Sequence, residues 1–250
     1  MDRFNHKIAV ITGGATGIGM AVAHRLGKEG AVVALFDRDA SALKSTVEAF
    51  QQEGIHAEGY LTDISDETQV SASLLAVEKK WQQIDILVHA AGIVGPTATS
   101  ITAYTTADFD QIYDVNLKGT FLITKYTLQI MEKRQQGRIL LIASIAGKEG
   151  NPGMVGYSTT KAGVIGLVKG VAKEYATTQI TVNGLAPAVI RTPMNDGTSA
   201  EQLAYMTAKI PMERLGTVAE VAAMSCFIVS DENSFSTGFI YDISGGRATY

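Results

Sequence analysis

Lys7-Ile-Ala-Val-Ile-Thr12 runs directly into Gly13-Gly-Ala-Thr-Gly-Ile-Gly19 and then into Met20-Ala-Val-Ala-His-Arg-Leu-Gly-Lys-Glu29. The first piece is a short, continuously apolar run, the pattern of a strand buried on both faces. The last piece carries its apolar residues at helical spacing. Between them the glycines allow a tight turn and let the backbone approach a charged ligand, so that a pyrophosphate meets the N-terminus of the helix. A strand–turn–helix setting is what separates a dinucleotide cradle from an ordinary glycine-rich turn. Gly13, Thr16, Gly17, Ile18 and Gly19 are therefore expected to hold a cofactor's phosphates.

A second apolar run, Ala31-Val-Val-Ala-Leu-Phe-Asp37, ends in an acid about twenty residues beyond the glycines, where folds of this kind bond the adenosine ribose hydroxyls. A 2′-phosphate would be repelled there, and the only nearby cation is Arg38, so NAD is favoured over NADP. Further strands are expected near 56–61, 84–89, 139–143, 180–186 and 239–243. Helices are expected near 40–53, from an Asp66 cap towards Trp81, over 106–133 with Asn116 inside, and from Tyr157 to about 176. The last helix opens with the capping box Thr217-Val-Ala-Glu220.

This alternation implies an α/β fold: a single doubly wound Rossmann domain over residues 1–250, with a seven-stranded, mostly parallel sheet and helices on both faces. Right-handed crossovers place the strand C-termini along one edge, so Thr12, Asp37, His89, Ser144 and Pro187 converge on one crevice. The stretch 188–210 contains Pro, Asn, Gly and Ser and reads as a mobile substrate lid.

Tyr157 and Lys161 stand four apart at the front of an apolar helix, one turn from each other on one face. An ammonium beside a phenol favours the phenolate, so Lys161 is expected to lower the Tyr157 pKa and suit the phenol to proton exchange near neutrality. Ser144 ends the strand Gly137-Arg-Ile-Leu-Leu-Ile-Ala143, where it can donate to an oxygen that develops charge. Alone, a Tyr and a Lys at this spacing are commonplace on a surface helix. The crevice gives the pair its meaning.

Composition narrows the function classes. Of 250 residues, 46% are hydrophobic and 18% charged, and the net charge of −4 comes without a Lys/Arg cluster, which argues against nucleic acid as a partner. The single Cys226 lies in an apolar run and reads as a packed thiol, and no metal-ligand spacing is present. No apolar run is long enough to span a membrane, and Met1-Asp-Arg-Phe-Asn-His-Lys lacks the apolar core of a signal peptide, so a cytoplasmic enzyme is expected. His89 reads as a hydrogen-bonded structural histidine.

With these pieces placed, the sequence resembles the short-chain dehydrogenase/reductase family over essentially its whole length. The shared features are Thr12-Gly13-x-x-x-Gly17-x-Gly19, Asp63, Ala91-Gly92, Asn116, Ser144, Tyr157-x-x-x-Lys161, and Pro187 followed by Thr192. The resemblance implies an NAD cofactor, a small-molecule substrate and a homotetramer. It places Asp63 and Ile64 by the adenine, with Ala91 and Gly92 also contributing to the cofactor site. Tyr157 becomes the general acid/base and Lys161 the ligand of the nicotinamide ribose. Ser144 orients the substrate oxygen, Asn116 holds a water behind Lys161, and Val189 and Thr192 contact the carboxamide.

Two departures stand out: His89-Ala90-Ala91-Gly92 where many members have Asn-Asn-Ala-Gly, and Ala188 where many have Gly. The substrate wall is expected from Ala146, Glu149, Asn151 and Arg191 together with Ser144 and Tyr157; with Lys148 it is polar and partly cationic. The run Ala146-Gly-Lys-Glu-Gly-Asn151 and the ending Ser244-Gly-Gly-Arg-Ala-Thr-Tyr250 are similar to those of bacterial sugar-acid dehydrogenases. That likeness implies a 2-keto-3-deoxy sugar acid of rhamnonate or fuconate type, and a tail whose Arg247 reaches a neighbouring subunit. The alternatives are another sugar or polyol, a 3-oxoacyl-thioester reductase, which usually goes with NADPH, and a nucleotide sensor, which typically lacks the Tyr or Lys.

Overall fold

Five consecutive buried residues, Ile8–Thr12, form β1, an interior strand of the sheet. The computed structural model describes residues 2–192 and 200–248. In chain order β1 is followed by α1 (Gly17–Lys28), β2 (Val32–Asp37), α2 (Ala40–Gln52), β3 (Ala57–Leu61), α3 (Glu67–Trp81), β4 (Ile86–His89) and α4 (Thr106–Tyr113). A π-helical turn (Asp114–Lys118) leads to α5 (Gly119–Met131), β5 (Gln136–Ile142), α6 (Ala146–Glu149), α7 (Val155–Glu174) and β6 (Gln179–Pro187). The chain closes through β7 (Ile190–Arg191), α8 (Ala200–Thr207), β8 (Gly216–Thr217), α9 (Val218–Ile228) and β9 (Ile240–Ile243).

Seven strands pair in the order β3-β2-β1-β4-β5-β6-β9, every pair parallel. Alternate residues of one strand serve opposite layers. Ala9 and Ile11 pack with Val22, Leu26, Val221 and Cys226, while Val10 packs with Leu74, Ile123 and Val168. Two covered faces are why the strands read as unbroken apolar runs. Register sets the strand ends level: Thr12 stands opposite Phe36 and His89, His89 opposite Leu141, and Pro187 opposite Ile243. The order turns back between β1 and β4, the switch point at which such sheets bind ligands.

The caps follow the sequence. Asp66 accepts from the Thr68 and Gln69 N–H groups, and Thr217 with Glu220 forms the reciprocal box that starts α9. One expected element is interrupted. The helix over 106–133 holds the π-helical turn around Asn116, where the Thr120 hydroxyl donates back to the Asn116 carbonyl at 2.6 Å. Within the stretch read as a lid, β7 pairs with β8 as a separate two-stranded sheet. Residues 193–199 of that stretch lie outside the described residues.

Candidate active site

The glycine turn is shaped for close approach. Gly13 takes φ +62°, and a Cβ there would lie 2.9 Å from the Ala91 nitrogen; at Gly19 it would lie 2.1 Å from the Gly13 carbonyl oxygen. Thr16 precedes α1 without capping it through its side chain, and no acid sits in the first turn. The first N–H groups of α1 thus keep their donor capacity and positive end for an anion, whereas α2, α3 and α9 are capped by their own side chains. At the end of β2, Asp37 Oδ2 accepts from the Ala15 N–H at 3.1 Å and Oδ1 from the Asp39 N–H at 3.1 Å. Its carboxylate is held beside the glycine turn.

These residues open onto a cleft of about 250 Å³, lined by Gly13, Thr16, Gly17, Ile18, Gly19, Asp37, Asp63, Ile64, Ala91, Gly92 and Thr192, all expected from the sequence. Phe36, Arg38, Thr62, Ala90, Ile93 and Val115 line it too. Most of these flank residues already singled out, but Val115 carried no signal because the turn that presents it was read as regular helix. Pro187 and Val189, expected beside the nicotinamide, are not among the lining residues. Pro187 is buried in β6, paired with β9, and Val189 lines a second cavity with Ile210, Met212 and Ser244. A bare helix N-terminus, a glycine cradle and a carboxylate at the ribose end fit a dinucleotide without a 2′-phosphate.

At the other end of the cleft α7 presents Tyr157 and Lys161. Asn116, Ser144 and Lys161 are 0%, 8% and 6% exposed, and Tyr157 is half-buried. A Cβ on Gly92 would lie 3.1 Å from Asn116 Oδ1 and 3.6 Å from Lys161 Nζ, which brings the three together. Lys161 Nζ donates to the Ile142 carbonyl at 2.8 Å, and burial lowers its pKa to about 8.

The expectation that Lys161 depresses the Tyr157 pKa is corrected here. Burial raises the phenol above its ordinary value, and the downward pull comes from the Ser144 hydroxyl. The ammonium lies 5.8 Å from the ring centroid and is spent on Ile142, so the loss of water around the phenol outweighs it. Asn116, which alone would read as a surface residue, is fully buried: Oδ1 accepts from the Ile93 N–H and Nδ2 donates to the Ile93 carbonyl, both at 2.8 Å. His89 is structural, as expected. Its Nδ1 lies 2.7 Å from Thr12 Oγ1 and its Nε2 2.9 Å from Thr120 Oγ1, and burial, helped by the Lys161 charge, holds its pKa down at about 3.

The expected substrate wall is differently arranged. Ala146 is only 2% exposed and donates its N–H to Ser144 Oγ at 3.1 Å, so it supports Ser144 from behind. Arg247 donates from Nε to Glu149 at 2.9 Å and from Nη2 to Asn151 at 3.0 Å. Lys148 contacts both Asp242 carboxylate oxygens at 3.0 and 2.8 Å. Arg247 is thus paired within its own chain, and the charges of Lys148 and Glu149 are matched internally. Arg191 is exposed on β7.

A dinucleotide cradle at the switch point of a parallel sheet, with a Ser, a Tyr and a buried Lys at its far end, defines a Rossmann-type oxidoreductase. A family model described as enoyl-(acyl carrier protein) reductase matches residues 13–248. The chain is 40% identical over 248 residues to a 2-dehydro-3-deoxy-L-rhamnonate dehydrogenase (NAD(+)) of Sphingomonas sp. (strain SKA58), covering 99% of this chain and 98% of that one. It is 36% identical over 246 residues to a 3-oxoacyl-acyl-carrier-protein reductase of Thermotoga maritima, covering 98% of each. Among solved structures, NAD+-bound xylitol dehydrogenase superposes with a TM-score of 0.92 at 29% identity, covering 97% of this chain and 99% of that one. The chain belongs to the short-chain dehydrogenase/reductase family and is an NAD-dependent dehydrogenase/reductase acting on CH–OH groups.

Proposed function

We propose that the substrate is a small hydroxylated carboxylic acid, a 2-keto-3-deoxy sugar acid of the rhamnonate or fuconate type, oxidised at a secondary alcohol. The observation that carries this reading is the 40% identity, over nearly the full length of both chains, to the rhamnonate-type dehydrogenase.

In its phenolate form Tyr157 takes the hydroxyl proton of the substrate and becomes the neutral phenol, and Ser144 donates to the same substrate oxygen, holding it in line and stabilising charge there. Bound NAD+ supplies the hydride acceptor and a positive charge near the phenol. Lys161 adds to that field from one turn further along α7, and Asn116 fixes the Ile93 backbone along the cleft wall. In the reductive direction the raised Tyr157 pKa keeps the phenol protonated and ready to donate.

Asp37 sets the cofactor preference. Asp37→Ser is expected to raise kcat/KM for NADP+ relative to NAD+ by at least about tenfold, because a carboxylate facing a 2′-phosphate is removed together with a ribose ligand. Steady-state kinetics with the two cofactors checks this, and an unchanged ratio would remove Asp37 from the discrimination.

The assignment is tested by initial rates of NAD+ reduction with sugar acids, polyols and 3-hydroxyacyl thioesters, with Tyr157→Phe as the blank. A rate confined to sugar acids supports it. Turnover of thioesters alone overturns it in favour of the second reading, a 3-oxoacyl-thioester reductase, which rests on the Thermotoga relative and the description of the matching family model. The assembly is a homotetramer in this proposal. The exposed Tyr113 and Phe121 along the π-turn and α5, and Phe239 beside β9, support a protein that covers these faces with further copies, and light scattering in solution gives the mass.

A further inference from the structure

We propose that His89 is a positioning residue for hydride transfer, acting through Thr120 to fix the main-chain carbonyl and orientation of Asn116. This rests on the placement of Asn116, Ser144, Tyr157 and Lys161 at the reacting end of the cleft given above.

A carbonyl can only accept, so the 2.6 Å contact between Thr120 Oγ1 and the Asn116 carbonyl uses the single hydroxyl hydrogen of Thr120. Toward His89, 2.9 Å away, Thr120 Oγ1 therefore accepts, and the imidazole proton sits on Nε2. Nδ1 is then bare and accepts the Thr12 hydroxyl hydrogen at 2.7 Å, while Thr12 Oγ1 accepts the Ala91 N–H at 3.2 Å. One direction of donation runs unbroken from Ala91 through Thr12, His89 and Thr120 to Asn116. Thr12, His89, Thr120 and Asn116 are 0%, 2%, 1% and 0% exposed, so no water competes along it.

The chain joins two parts of the site from behind, in addition to the direct contact of Asn116 with Ile93. Ala91 lines the cofactor cleft beside Gly92. Asn116 grips both polar backbone groups of Ile93 and lies 3.4 Å from Thr160 Oγ1, which in turn donates to the Tyr157 carbonyl at 3.0 Å. Asparagine at position 89 would place one amide atom near the Nδ1 position and reach Thr12 but not Thr120. Only a side chain as long as histidine spans β4 to the start of α5.

The length argument also supplies the test. Asn at 89 keeps an acceptor near Nδ1 and loses the link to Thr120; Gln has its amide nitrogen the same number of bonds from Cβ as Nε2 and can restore that link. Kinetics are measured with NAD+ and 2-dehydro-3-deoxy-L-rhamnonate on the intact protein. His89→Asn and Thr120→Val are expected to lower kcat about tenfold each, with KM for NAD+ within about twofold, as suits a contact felt in the chemical step and not in cofactor binding. His89→Gln and Thr120→Ser should recover the rate to within about threefold of the starting protein. The double variant His89→Asn/Thr120→Val should be no slower than either single one, because both cut the same chain.

In 15N spectra of the protein, the His89 Nε2 resonance should be protonated and should shift in Thr120→Val. Equal losses in Asn and Gln variants, additive losses in the double variant, or a protonated Nδ1 would each overturn the proposal. Tyr157→Phe separates the two levels: if it stays active, the assignment of the site itself fails, whereas an inactive Tyr157→Phe beside a Thr120→Val of undiminished kcat defeats the His89 proposal alone.

Discussion

Tyr157→Phe is expected to lower kcat by about 10³-fold, the middle of the range for a positioned acid/base, while the Kd for NADH changes by less than about threefold. The variant removes one oxygen and keeps the ring, so the packing of α7 stays. The cleft that fits the dinucleotide is lined by the glycine turn, Asp37, Asp63 and Ala91-Gly92, and Tyr157 is not among its lining residues. Fluorescence titration of NADH and stopped-flow rates measure the two effects separately. A loss of NADH affinity as large as the loss of rate would mean that Tyr157 serves mainly to bind cofactor.

The direction of the Tyr157 shift adds a sign. Because burial raises the phenol, kcat/KM for oxidation should climb with pH through and beyond neutrality, while reduction, which needs the protonated form, should fall only at alkaline pH.

The second large effect runs in opposite directions for activity and stability. Lys161→Met should abolish turnover and yet make the fold more stable at pH 7, by about 1–2 kcal/mol. Burial lowers the ammonium from 10.5 to about 8, and a shift of that size corresponds to about 3 kcal/mol of differential cost for carrying the charge. Part of that gain is offset because the Ile142 carbonyl loses its donor.

The sign is set by proton uptake. Between pH 8 and 10.5 the unfolded chain binds more protons at this residue than the folded one, so the native enzyme gains stability as pH rises through that window, and the cost is present in full below pH 8. Lys161→Met should lose this rise. Urea melts of both proteins at pH 7 and pH 10 decide it, and a variant less stable at pH 7 would show that the charge is better supported than its burial indicates. Active-site groups that destabilise the fold they sit in are a common exchange of stability for function.

Much of the architecture could be read before any coordinates, for a physical reason. β1, β2 and β4 lie between two helical layers, so Ile8–Thr12, Val32–Asp37 and Ile86–His89 had to be nearly unbroken apolar runs, and level strand ends followed from parallel pairing. The cofactor cleft was legible because its contacts are local: a turn, the helix it opens and a strand-end acid.

What stayed hidden depends on partners distant in sequence or on burial. The π-helical turn around Asn116 interrupts a residue pattern that reads as one continuous helix. The upward Tyr157 shift depends on how little water reaches the phenol. Arg247 could be seen as a cation but not matched to Glu149 and Asn151, which lie nearly a hundred residues earlier. Ala146 was placed on the right segment but on its inner side.

The seam between β1 and β4 has a consequence for how the chain is made. On a ribosome the first three strands appear in the order in which they pair, outward from β1, and can assemble once residues up to Leu61 have emerged. The other edge of β1, four apolar residues and Thr12, must then wait for a partner whose last residue, His89, lies 77 positions after Thr12. An open apolar edge is the part of a nascent chain most exposed to mispairing with its neighbours. The same contact that closes this edge, Thr12 to His89, also begins the alignment of Asn116. Competence to bind cofactor and safety from aggregation are thus reached in one closing step, and NAD in the cell should raise the yield of folded protein as well as its stability.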